Sequence, residues 1–116
     1  MINKKQRLRD KADKLWFKKY LKPNCEVCGN NGVLQGHHFY FKGSYGYLRY
    51  NKDNHITLCR GCHFCLHHQD PKKIEEKIIL ARGKSWHNKL KRQAQNPPSN
   101  YQTTIKWYED NIKELL

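Results

Sequence analysis

The chain has 116 residues, carries 23 Lys and Arg against 10 Asp and Glu for a formal net charge of +13, and is only 37% hydrophobic. That length suits one small domain with a marginal apolar core, and the excess of positive charge points to a polyanionic partner, nucleic acid first. No apolar run approaches membrane-spanning length, and the polar, basic start together with an odd five cysteines argues against a disulfide framework and for the cytosol.

Residues 4–22 predict a basic amphipathic helix. Leu8, Ala12, Leu15, Trp16 and Tyr20 form its apolar stripe, while Arg7, Lys11, Lys14 and Lys18 crowd the remaining surface as expected phosphate contacts. Pro23 is the expected stop. After Cys25–Cys28, the stretch Gly29-Asn30-Asn31-Gly32 supplies the turn, Val33–Gln35 reads as a short strand, and His37-His38 follow. Residues 39–54 read as a loop in which six aromatic residues alternate with Lys42, Arg49 and Lys52, a mixture suited to stacking on bases and gripping phosphates; in so small a domain about half of these rings belong to the core. His55–Leu58 is a second short strand.

A helix is expected from about Cys62 to Gln69, carrying His63 and His67. Asp70-Pro71 then opens another, with Ile74, Ile78 and Ile79 inward and Gly83 closing it. Ser85 is the expected cap of a third, with Trp86, Leu90 and Ala94 on one face. After the Asn96–Asn100 linker, Ile105, Tyr108, Ile112 and Leu115 follow helical spacing. This last helix could pack back on the domain or pair with a second chain, so the oligomeric state stays open. The reading is one domain: a basic helix at 4–22, a core at 25–68 and C-terminal helices at 70–116.

Cys25-Glu-Val-Cys28 and Cys59-Arg-Gly-Cys62 stand about thirty residues apart, which is zinc-site spacing. Four thiolates fill a tetrahedral ion completely, so such a zinc is structural. His63 in place of one cysteine is the competing ligand set, and four cysteines are the simpler one. Cys65 is left over as a small apolar side chain. His63 and His67 are four apart, so one helical face carries both rings. A third imidazole from the His37-His38 pair would complete a second site with open positions. His55 and His68 lack that geometry and read as structural or surface residues.

Gly36-His37-His38, Asp53-Asn54-His55-Ile56-Thr57-Leu58-Cys59 and Cys62-His63 together resemble the HNH, or ββα-metal, nucleases over roughly residues 25–68. Leu48-Arg49-Tyr50 and Asp53-Asn54 running into CxxC resemble the phage NinG/Rap-type recombination nucleases. The resemblance implies a small α+β fold: a ββα-metal core with a four-cysteine zinc knuckle, flanked by basic helices. It also implies a metal-dependent DNA endonuclease. In that family's terms His38 is the general base, Asn54 braces the loop, and His37, His63 and His67 hold one catalytic divalent cation (Mn2+, Ni2+, Zn2+ or Mg2+).

Two positions depart from the pattern. No carboxylate precedes His38, and Phe39-Tyr40-Phe41 follows where a proline is common, so the base and ligand roles of His37 and His38 remain interchangeable. Arg49 could neutralise a flanking phosphate or stand as a solvated loop cation. A zinc-ribbon DNA-binding module without catalysis is the alternative reading, and an RNA-directed variant a third. The histidine trio separates enzyme from module, because a module has no use for it.

Overall fold

The structure, a computed structural model, describes residues 2–116. Lys4–Lys19 form helix α1, opened by the Asn3 side chain accepting from the Gln6 N–H at 2.8 Å. Ala12 and Trp16 are buried with Leu8, Leu15 and Tyr20 packed beside them, as the stripe required. The helix stops at Lys19, short of residue 22 and well before Pro23, because the chain is drawn off to the sheet, where the Lys22 N–H donates to Thr57 Oγ1 at 3.0 Å.

Leu34–His38 (β1) and His55–Cys59 (β2) pair as an antiparallel hairpin, with His37 opposite Ile56 and His38 opposite His55. The first strand therefore starts one residue later than Val33 and runs on through both histidines. Its partner is buried along its whole length. The intervening loop contains single 3-10 turns at Gly46–Leu48 and Lys52–Asn54. Asn54 is fully buried and braces it, donating from Nδ2 to the Tyr40 and Leu48 carbonyls (3.1 and 3.2 Å) and accepting from the Tyr40 N–H at 2.8 Å.

Arg60–His68 (α2) begins two residues ahead of Cys62, since Cys59 is itself the N-cap and its Sγ accepts from the Cys62 N–H at 3.4 Å. Pro71–Arg82 (α3) follows with Asp70 as cap and Pro71 in the first position, as expected. Ile74 and Ile78 are buried and Ile79 half-buried. Lys84–Gln95 (α4) is not capped by Ser85. Gly83, at φ 96°, both ends α3 and starts α4, so Ser85 already lies inside the first turn. Trp86, Leu90 and Ala94 do share the inward face.

Ile105–Leu115 (α5) packs back on α1, burying Tyr108, Ile112 and Leu115 against Ala12 and Trp16, while Lys19 Nζ donates to the Glu114 carbonyl at 2.8 Å. Ile105 stays 39% exposed because it opens the helix, and Trp107 lies against the core in its place. Five α-helices and one two-stranded sheet thus make a small α+β fold among the described residues. None of these helices is long and apolar enough to cross a membrane.

One ion pair ties the segment between Cys25 and Cys28 to the rest. Arg82 donates to both carboxylate oxygens of Glu26, whose side chain is 7% exposed, and to the His55 carbonyl at 2.6 Å. Glu26 also accepts from the Thr57 N–H at 2.6 Å and from Lys22 at 3.0 Å. Burial alone would raise its carboxyl, but Arg82, Thr57 and Lys22 outweigh that and hold it below the usual range.

Removing one partner strands a buried charge. Arg82→Met should therefore cost about 3 kcal/mol in urea unfolding, whereas the double change Glu26→Gln with Arg82→Met should recover part of that loss. Arg82 also lies over the Trp86 ring, 5.1 Å from its centroid, and equal losses in the two variants would show that this packing, not charge pairing, is what matters.

Candidate metal centres

Each cluster is built where the hairpin meets a tight turn or a helix. The Cys25 N–H donates to the Asn30 carbonyl at 2.8 Å and the Gly29 N–H to the Cys25 carbonyl at 2.9 Å, which folds the first CxxC into a knuckle. Gly29 sits there at φ 78°, a conformation that other residues adopt at a cost. The second pair needs no separate device, because Cys59 ends β2 and Cys62 lies in the first turn of α2.

The sulfurs of Cys25, Cys28, Cys59 and Cys62 lie within 4.8 Å of one another, and those of Cys28 and Cys59 are 3.5 Å apart. Four thiolates about 2.3 Å from a zinc ion would stand roughly 3.8 Å apart, so this cluster can hold a structural metal such as zinc. His63 is not among the four, which disposes of its substitution for a cysteine. Burial works against a thiolate at Cys25, yet the N–H groups of Cys28, Cys59 and Val27 outweigh it and bring its pKa down to about 7. Cys65 packs at the edge of the same core and is not one of the four.

A second cluster forms on the neighbouring face. Ligand nitrogens of His37, His63 and His67 lie within 4.8 Å of one another. Ring centroids are 4.4 Å apart for His63 and His67, one turn apart on α2, and His37 stands 5.6 and 5.2 Å from them. Burial, then the neighbouring rings of His67 and His63, lower the His37 pKa to about 3; His63 is lowered by burial and then by His67 and His68. The His37 ring therefore stays neutral at ordinary pH and offers a lone pair, the form in which imidazole binds a metal. Beside them a cleft of about 190 Å³ opens between Phe39, Phe41, Leu66 and Glu75.

The pleat separates the two adjacent histidines. His37 shares the face of Ile56 and turns to α2, whereas His38 shares the face of His55 and turns to α1. His38 stacks on Trp16, with centroids 4.1 Å apart and planes 10° apart, and its Nε2 lies 2.9 Å from the Arg49 carbonyl. A carbonyl can only accept, so Nε2 carries the proton and Nδ1 the lone pair. Burial brings the His38 pKa down to about 4, with Lys42 and Arg49 adding to the effect against the hydrogen bond.

Arg49 differs from either expectation for it. Its guanidinium donates twice to Asp13, at 2.8 and 2.7 Å, so it is neither a solvated cation nor free for a phosphate. Asp13 is one of two carboxylates, with Asp10, in the Lys/Arg-rich α1, and no local pattern in the sequence pairs it with Arg49. Arg7, Lys11, Lys14, Lys18 and Lys42 are exposed. Those on α1, however, belong to the helix that covers the His38 face, and the structure does not gather them around His37, His63 and His67. His55 is 1% exposed and donates to the Phe17 carbonyl, while His68 is exposed.

Substitutions should empty the two clusters separately. A structural zinc contributes roughly 10–16 kcal/mol of apparent binding energy, as much as the whole stability of a typical domain. Cys59→Ser should therefore lose the helical circular dichroism signal along with its zinc. His63→Ala should keep both, and bind one metal per chain where the parent binds two. Two metals in His63→Ala by elemental analysis would exclude the histidine cluster as a site.

Comparisons of the chain with family models, with curated proteins and with solved structures found no match, so the two clusters rest on their own geometry.

Proposed function

We propose that the protein is a metal-dependent DNA endonuclease of the ββα-metal kind, hydrolysing phosphodiester bonds at the histidine cluster. The observation that carries the proposal is the second cluster itself. A four-cysteine site is enough to staple so small a fold, and three imidazoles converging beside a cleft have no structural task left to perform. The net charge of +13 and the exposed basic face of α1 fit a polyanionic substrate.

A divalent cation held by His37, His63 and His67 would supply Lewis-acid stabilisation of the charge developing on the phosphate. The remaining work falls to the chain. His38 keeps its proton on Nε2 for the Arg49 carbonyl, which leaves Nδ1 to accept a proton from the attacking water. Its low pKa keeps the ring neutral and ready at ordinary pH. Asn54 holds the Leu48 carbonyl, one residue before the carbonyl that orients His38, so it acts on the base through the loop. Asp13 fixes the Arg49 side chain and with it the same stretch of backbone. Phe39 and Phe41 line the cleft beside His37 and His67.

The plasmid assay that tests this uses the zinc-loaded parent with Mg2+, Mn2+, Ni2+ or Zn2+ added in turn. Nicking of supercoiled DNA is expected, with Mn2+ or Ni2+ at least as effective as Mg2+, because imidazole suits transition metals and Mg2+ prefers oxygen ligands. His38→Ala should cut roughly two to four orders of magnitude more slowly while its fold and both metals are retained. The four-cysteine cluster and basic surface would equally serve a zinc-stapled DNA-binding module. DNA binding without nicking under any metal would establish that reading instead.

A further inference from the structure

A second concave site lies away from both metal clusters, between α1, the 39–54 loop and the segment leading into α5. It encloses about 490 Å³, within the range of small-ligand pockets. Lys5 and Arg9 line it from α1, Lys42 and Tyr47 from the loop, and Tyr101 from the segment before α5. None of Lys5, Arg9 and Lys42 takes part in a salt bridge among the described residues, whereas the other cation of the pocket, Arg49, is paired with Asp13.

The two rings are set in advance. Tyr47 donates its hydroxyl to the Ala94 carbonyl, and Tyr101 lies edge-on to Tyr47 at 5.8 Å and to Trp107 at 5.4 Å. The Tyr101 N–H donates to the Pro98 carbonyl at 3.2 Å, which fixes the segment that carries the ring. Gly46 lies directly against the Tyr101 hydroxyl, and a Cβ there would collide with it. Both rings remain partly exposed toward the cavity. A rigid aromatic wall facing unpaired cations matches a ligand with a flat face and negative charge.

We propose that this pocket binds one extrahelical nucleotide of a DNA strand, its base against Tyr47 and Tyr101 and its phosphates against Lys5, Arg9 and Lys42. A paired base offers no free face, so the pocket selects single-stranded over fully paired DNA. Arg49 joins this pocket to the proposed cleavage site, lining the one with its side chain and orienting His38 with its carbonyl. The inference rests on DNA being the partner and is independent of whether the protein cleaves it.

The test is fluorescence anisotropy with the full chain as purified with zinc and without added divalent metal, on a labelled single strand and on the blunt duplex of the same sequence. The single strand should bind about tenfold more tightly, the worth of one base stacked on an aromatic ring. Tyr101→Ala should abolish that ratio by weakening the single strand alone, and Tyr101→Phe should keep it. Should Tyr101→Ala fail to fold, Lys5→Glu with Lys42→Glu, both at exposed positions, must lower the same ratio. Equal binding of strand and duplex by the parent, or an unchanged ratio in a folded pocket variant, overturns the proposal. Tighter binding of the equivalent oligoribonucleotide overturns the assignment to DNA. Absent nicking in the plasmid assay, with the ratio intact, removes the nuclease reading and leaves the pocket standing.

Discussion

Cys59 is the point on which the molecule turns. It ends β2, caps α2, and brings its sulfur to 3.5 Å from that of Cys28 on the knuckle. The buried side chains fall into three small groups rather than one large core: the sheet with α2 and α3, α1 with α5, and the loop with α4. With so little apolar area in any one group, a metal held between the knuckle and the β2–α2 junction would supply stability that packing alone lacks. The Glu26–Arg82 pair works beside it, anchoring the residue between the two knuckle cysteines to α3 and to the backbone of β2. Neither tie is local in sequence, and together they hold the knuckle and β2 to α2 and α3.

The same junction places the histidines. Because α2 starts at Arg60, His63 and His67 come one turn apart on the side of the helix that faces β1. His37 reaches them from the strand. The two clusters therefore share a scaffold: the turn that brings Cys62 to Cys59 also sets the phase of the helix bearing His63. A structural cluster next to an open one is a direct consequence of running a strand into a helix through a CxxC.

The opposite face of the hairpin is organised by α1. Trp16 stacks on His38 and touches His55, and Gly36 lets the helix approach, since a Cβ there would meet His55 Nε2 at 2.7 Å and Phe17 at 3.1 Å. Asn54 and Asp13 then fix the loop that returns over this face. Polar groups buried here are hydrogen-bonded almost throughout, which is what lets a mostly aromatic and charged loop hold a single shape.

Local rules covered much of the chain. Cysteine spacing, the helical periodicity of 8, 12 and 16, the Asp70-Pro71 start and the Gly83 stop each depend on neighbours a few residues away, and each stands in the structure where the sequence puts it. So does the pairing of His63 with His67, which follows from 3.6 residues per turn alone. The errors fall where distant groups intervene. Lys22 drawn to Thr57 shortens α1, Trp107 displaces Ile105 from the core, and Gly83 takes the capping place expected of Ser85. Spacing could not say which of His37 and His38 joins the helix pair, because adjacent strand residues are equivalent until a register is chosen. The pairing of His37 with Ile56 chooses it, and sends one imidazole to α2 and the other to Trp16. Arg49 and Asp13 are 36 residues apart, so no window along the chain could pair them. Sequence thus determined which residues could be ligands, and only tertiary structure decided which lone pairs converge, since convergence depends on strand register and helix phase across the whole fold.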